Sequence, residues 1–221
     1  MKKNEDLLKL LSFAHCANKT EILSHAQDIA IELIRNWKIV TPWGERRFWG
    51  LEFYLRIPKI FEDEAPHSRR DQLDRGTFYF HTKAKGESIK DRTPPIFNRH
   101  GVDITCGDDF DDEGKNIYGG ILLRHLGGAG HRDGSGLALR SLVRGDDGFK
   151  PVKRGSQNNK WSVEEISFFE RMYGRSIFGS EMHLEYAPLD EVIKVDAVAR
   201  IGIDKTNYAT ENLGFRRRPA R

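Results

Sequence analysis

The period of the apolar side chains changes along the chain, and each change marks a new element. Near the start, Leu7, Leu8, Leu10 and Leu11 form a short apolar face. From about 21 to 34, Ile22, Leu23, Ala26, Ile29, Ala30, Leu33 and Ile34 recur three and four positions apart, which predicts an amphipathic helix. The stretch 37–57 is β-branched and aromatic, with Pro42 to Gly44 as turn chemistry, and predicts two antiparallel strands. Further strands are expected at 77–82, 101–105, 118–126, 137–143, 182–186 and 192–203. One helix interrupts them, because Ser162 with Glu165 makes a capping box and Ile166, Phe169, Met172 and Tyr173 follow at helical spacing. The stretches 83–99 and 127–136 read as long exposed loops. This order predicts an α+β fold in a single domain, 1–221, with a mixed or antiparallel β-sheet, flanking helices, long loops, and 1–36 as N-terminal helices packed on it.

Composition narrows the class. The 221 residues (25.4 kDa) are 38 % apolar and 31 % charged, with 13 Phe, 4 Trp and 6 Tyr, so the chain is polar for a globular protein but too aromatic for disorder. No apolar run is long enough for a membrane span and no export signal is visible, which predicts a soluble protein. Cys16 and Cys106 lie 90 positions apart without Cys-x-x-Cys spacing, which argues against thiolate zinc sites and a disulfide framework and for a reducing, cytoplasmic setting.

The net charge of +3 does not announce a nucleic-acid binder, but its distribution says more. Arg216, Arg217, Arg218 and Arg221 lie at the far end, Arg69 and Arg70 sit beside His67, and Arg46 with Arg47 precedes Trp49, while five acids crowd 108–113. Taken singly such runs are usually solvated faces. Together, the basic groups form a rim for a polyanion only if they meet in space.

Several chemistries lack their parts. The Gly127–Gly134 stretch misses the third glycine of a G-x-G-x-x-G pattern, and Gly114-Lys115 is followed by Asn116, which excludes a Walker A loop. H-E-x-x-H and G-x-S-x-G are absent. His67, His81 and His100 fall near Asp63, Glu64 and Asp103, but their spacing does not fix a metal site.

Glu52 is the most informative residue. In Trp49-Gly50-Leu51-Glu52-Phe53-Tyr54-Leu55, alternation puts Leu51, Phe53 and Leu55 on one face and Glu52 and Tyr54 on the other. If that second face meets solvent, this is a plain amphipathic strand, which the pattern alone favours. If it lines a cleft, Glu52 is a carboxylate beside aromatic walls, suited to general-base work.

A string of short segments, in order, resembles the alkyladenine (3-methyladenine) DNA glycosylase family. Glu52-Phe53-Tyr54 is similar to that family's Glu-Ala-Tyr, and the run Glu62 to Ser68 to its Glu-Asp-Glu-Ala-Ala-His-Ser. Gly76 to His81 resembles Gly-Thr-Leu-Tyr-Val-Tyr, Val102 to Thr105 resembles Met-Asn-Ile-Ser, and Ile121 to Leu126 is similar to Val-Leu-Leu-Arg-Ala-Leu. Ala199 to Ile203, with Phe215-Arg216 after it, resembles the closing Arg-Ile-Gly-Val and Leu-Arg-Phe pattern. The chain departs from the family in carrying Asp103 where it has asparagine and His81 where it has tyrosine, and a wedge tyrosine has no clear counterpart.

The resemblance implies a base-excision enzyme that flips a damaged purine out of double-stranded DNA and hydrolyses its N-glycosidic bond. It implies Glu52 as general base, Arg124 as the group orienting water and a nearby phosphate, and Tyr54, His67 and His81 as walls for the flipped base, with Asp103 contacting its edge. Phosphate contacts are expected from Arg69, Arg70, Arg99, Arg216, Arg217 and Arg218. With no lysine nucleophile marked beside Glu52, the enzyme is expected to be monofunctional, to need no cofactor or metal, and to act as a monomer without membrane or obligate protein partner, nucleoid-associated if prokaryotic. Two other readings stand beside it: a nucleic-acid or nucleotide-binding module without base release, and a metal-dependent hydrolase built on His67, His81 and Asp103.

Overall fold

A computed structural model describes residues 2–64, 70–81, 101–127, 162–200 and 210–218, together with Leu142 and Tyr208. They form an α+β arrangement of three helices and a curled antiparallel sheet. Helix α1 spans Lys2–Leu10 and α2 spans Lys19–Asn36. The start of α2 is set by Asn18, whose side chain accepts from the Glu21 amide at 3.0 Å, while the Glu21 carboxylate returns to the Ala17 amide at 2.7 Å. The helix therefore begins earlier than its apolar period, and it runs directly into strand β1 (Trp37–Thr41). Gly44 turns the chain at φ +114°, a region open to glycine, into the long strand β2 (Gly44–Ile57).

The remaining elements are β3 (Phe61–Glu62), β4 (Phe78–Phe80), β5 (Val102–Thr105), β6 (Tyr118–Gly127), helix α3 (Val163–Met172), β7 (His183–Tyr186), β8 (Lys194–Val198) and β9 (Gly214–Arg218). Strand order is β4-β5-β6-β2-β1-β7. One edge of β2 pairs with β6; along the other edge β1, β9 and β3 follow one another, at Gly44 to Arg47, Gly50 to Glu52, and Arg56 to Ile57. Strand β8 then pairs with β9. Helix α3 carries the full capping box, Ser162 accepting from the Glu165 amide at 3.1 Å and Glu165 accepting from the Ser162 amide at 2.6 Å.

The register sorts residues onto two faces. Leu51, Phe53 and Leu55 of β2, Ile121 and Leu123 of β6, Val102 and Ile104 of β5, and Phe78 and Phe80 of β4 form a buried apolar face. It belongs to the same core as Ile22, Ala26, Ile29, Ala30 and Leu33 of α2, with Phe13 meeting Phe53 at 6.3 Å between ring centres. Glu52 and Tyr54 lie on the opposite face, with Gly120 and Leu122, Asp103 and Thr105, and Tyr79.

Some sequence expectations are corrected. Of the strand expected at 137–143 only Leu142 is described, and it is helical and buried; a short apolar run does not separate strand from helix by period. Of the strand expected at 192–203, the described residues 192–200 hold β8 alone, with Val192 87 % exposed before it and Ala199 and Arg200 past its end, while 201–203 lie outside the described residues. Strand β9 was not foreseen, because three consecutive arginines conceal its alternation. The loop expected at 83–99 and all but Gly127 of the one at 127–136 lie outside the described residues.

Candidate active site

Glu52 sits at the centre of the second face. It is 2 % exposed, opposite Leu122 of β6 and Gly214 of β9. A buried carboxylate needs partners, since an unpaired one costs several kcal/mol, on the order of the effective penalty for one desolvated ion. Tyr54 and Arg124 are among those of Glu52. The Tyr54 hydroxyl donates to its Oε2 at 2.9 Å, and Arg124 Nε lies 3.5 Å from its Oε1. Burial, and then the charge of Glu52 beside it, push the Tyr54 hydroxyl far above the ordinary phenol range, so it remains a donor.

A register irregularity accounts for Arg124. Leu51 pairs with Leu123 and Gly50 with His125, so Arg124 has no residue opposite it. Such a bulge bends a strand and re-aims one side chain. Here it brings a guanidinium to the carboxylate while leaving that side chain 32 % exposed, open to an incoming anion.

Across β6 from Glu52 lies a second carboxylate. Asp103 and Glu52 both pair with Leu122, from opposite sides, and Asp103 is 1 % exposed. His81 Nε2 and Asp103 Oδ1 are 2.8 Å apart, and the His81 ring lies 5.7 Å from that of Tyr79. Two glycines make this possible. A Cβ on Gly101 would come within 2.7 Å of His81 Nδ1, and one on Gly120 within 2.6 Å of Asp103 Oδ2. Neither distance is compatible with a side chain unless the pair moves.

Beneath Tyr54 is a buried ion pair that sequence reasoning did not find. Arg200 bonds to the Asp63 carboxylate, and both side chains are fully buried. The same guanidinium donates to the carbonyls of Phe53 at 3.1 Å and Tyr208 at 3.0 Å, and its centre lies 5.1 Å from the Tyr54 ring centre. Asp63 and Arg200 are 137 positions apart, so no local pattern could have joined them.

The structure thus brings Glu52, Tyr54, Arg124, Asp103 and His81 onto one side of the sheet. His67, Arg69 and Arg99 lie outside the described residues, and Arg70 is exposed on a short 3-10 turn, Arg70–Gln72. The arginines of β9 are divided by alternation. Arg216 pairs across the strand with Gly50 and so shares the face of Glu52; Arg218 lies on that face as well, in a two-pronged bond to Asp196 at 2.7 and 2.8 Å. Arg217 lies on the other face, over the Trp49 ring at 4.7 Å and bonded to Glu191. Burial pulls the Arg47 guanidinium below its ordinary value and the nearby charge of Arg217 adds to this, so two of the three basic groups do meet, with one of their arginines packed rather than free to turn.

Among the described residues no three His, Cys, Asp or Glu side chains are grouped as a metal ion would require. Also among them, no helix is long and apolar enough to cross a membrane. A scan against protein-family models finds no match for the chain, and a search of curated proteins finds none.

Proposed function

We propose that the chain is a DNA glycosylase resembling the alkyladenine glycosylases in fold and chemistry, acting on a flipped alkylated or deaminated purine. The observation that carries this reading is the arrangement at Glu52: a buried carboxylate, held by a phenol and a guanidinium, on the polar side of a sheet whose other side is solid core. A base stacked in duplex DNA is out of reach at its glycosidic bond, so it must be extruded. The sugar then becomes oxocarbenium-like, and a fixed carboxylate stabilises that charge while taking the proton of the attacking water. Tyr54 keeps one carboxylate oxygen oriented, Arg124 holds the other and offers its exposed side to a phosphate, and Arg200 fixes the Tyr54 ring from below. Water is the nucleophile, without a Schiff base or strand cleavage, and the expected setting is a cytoplasmic monomer, nucleoid-associated if prokaryotic, bound to DNA largely through phosphates.

The test is incubation with duplexes containing 7-methylguanine or hypoxanthine, scoring free base. Release is expected from the parent chain, lost in Glu52→Gln while duplex binding is retained. A Glu52→Gln variant that cuts as fast as the parent overturns the reading.

A further inference from the structure

Two guanidiniums on different strands converge on one loop at the margin of the sheet. Arg47 of β2 donates to the Ala187 carbonyl, and Arg217 of β9 bonds to the Glu191 carboxylate. Trp49 lies beside both. A Cβ on Gly127, the cross-strand partner of Arg47, would come within 2.6 Å of Trp49 Nε1, and the Arg217 guanidinium stands over the indole at 4.7 Å. Resting on the glycosylase reading, we propose that Arg47 and Arg217 together clamp one phosphate of the DNA backbone, and that the Glu191 carboxylate occupies the clamp until DNA displaces it.

Three observations support the clamp. First, like charges gather there without being matched. Lys38, opposite Arg47 in β1, has Glu45 and Glu185 each at 2.9 Å, whereas among the described residues no carboxylate bonds Arg47 and Glu191 alone bonds Arg217. Burial, and with it the charge of Arg217, pulls the Arg47 guanidinium below its ordinary value against the opposing charges of Glu45 and Glu185; an anion between the two arginines relieves that repulsion. Second, Arg217 is set in advance. Its side chain is stacked and only 11 % exposed, and its Nε is buried with no hydrogen-bond partner, whereas an arginine placed for the fold alone ordinarily has its donors met. A guanidinium fixed in this way presents its donors in the planar fork that phosphate oxygens accept. Third, Glu191 is free to leave. Its side chain is 49 % exposed, and the loop holds without it, because the Ala187 and Leu189 amides donate to the carbonyls of Asn36 and Arg35 at the end of α2, at 2.8 and 2.9 Å. So exposed an ion pair is worth little in water.

The clamp lies along β2 from Glu52 by the span from 47 to 52, roughly 16 Å at about 3.3 Å per residue. It therefore takes a phosphate several nucleotides from the flipped one, not the one that Arg124 faces. Binding makes and breaks no covalent bond; it exchanges Glu191 and the condensed counterions of the duplex for a phosphate held by two arginines.

Titration of a lesion-free duplex with the chain over a series of KCl concentrations, read by fluorescence anisotropy, tests this. Each neutralised phosphate contributes about 0.9 to the slope of log K against log salt. Arg47→Gln and Arg217→Gln should each weaken binding and flatten the slope, and the double variant should flatten it by about 0.9 in all, because both side chains serve one phosphate. A loss of about 1.8 in the double variant overturns the shared clamp. Glu191→Gln should bind about two- to fivefold tighter than the parent at low salt, the range that exposed ion pairs allow, and that gain should vanish in the Arg217→Gln background. Glu181→Gln removes the same charge from the exposed pair with Arg171 at 2.6 Å, and a gain equal to that of Glu191→Gln overturns the proposal. Slopes unchanged in both arginine variants overturn the clamp and leave the glycosylase reading intact. A parent that binds no duplex overturns both. A parent that releases no base, with the variants behaving as described, overturns the glycosylase reading alone. Glu191→Gln alters one exposed side chain, so a misfolded arginine variant does not protect the proposal.

Discussion

The two faces of strand β2 do opposite work within the same few residues. Leu51, Phe53 and Leu55 bury into a continuous apolar layer, whereas Glu52 and Tyr54, alternating with them, are held by hydrogen bonds and charge. The first face is non-directional and tolerates approximate shape; the second depends on individual atoms. Stability and chemistry are therefore separable at neighbouring positions. The carboxylate is held by its own bonds to Tyr54 and Arg124 and by the packed residues on either side of it.

The sharpest way to break this contrast is to exchange its consequences. Glu52→Gln should lower base release by about 10³-fold or more, of the order expected for removing a general base and its electrostatic support, while the cooperative unfolding transition in denaturant persists. Phe53→Ala, one position on, should do the reverse. It should cost about 3–5 kcal/mol of stability by denaturant titration, with residual folded protein still binding duplex. Arg200→Met probes the boundary between the faces, since it strands the buried Asp63 carboxylate. A loss of about 3–5 kcal/mol is expected, with a further fall in kcat for the protein that remains folded, read at low temperature. The smallest effect concerns a site far from the chemistry. Burial, aided by His15 at 4.4 Å between ring centres, holds the His25 imidazole below its ordinary value, so the folded chain favours the neutral ring. The unfolded chain then binds the extra proton: the contribution is present above about pH 6.5 and lost as pH falls through the lowered folded value. His25→Gln should flatten the dependence of stability on pH in that window, measured against the parent.

Legibility followed sequence distance. The alternation of Leu51, Glu52, Phe53 and Tyr54 was readable because a strand's period is local, and the Ser162 capping box because its two partners are three residues apart. Whether Glu52 met solvent or lay buried was not readable, since that depends on β5, β6 and β9 arriving around it. The aim of Arg124 rests on a bulge that leaves no compositional mark. The bond of His81 to Asp103 spans 22 positions, and that of Asp63 to Arg200 spans 137, so each is a product of topology. Three adjacent arginines looked like one basic patch, yet the pleat sends Arg217 to one side and Arg216 and Arg218 to the other.

The edge of β2 opposite β6 has an implication for biosynthesis. At Gly50 to Glu52 that edge is occupied by β9, whose residues are translated more than 160 positions after the ones they pair with. Until then the backbone at the acidic centre offers unpaired amides and carbonyls, a template for stray strands as the chain leaves the ribosome. The proposed site is consequently completed late, once β9 has closed the edge beside Glu52.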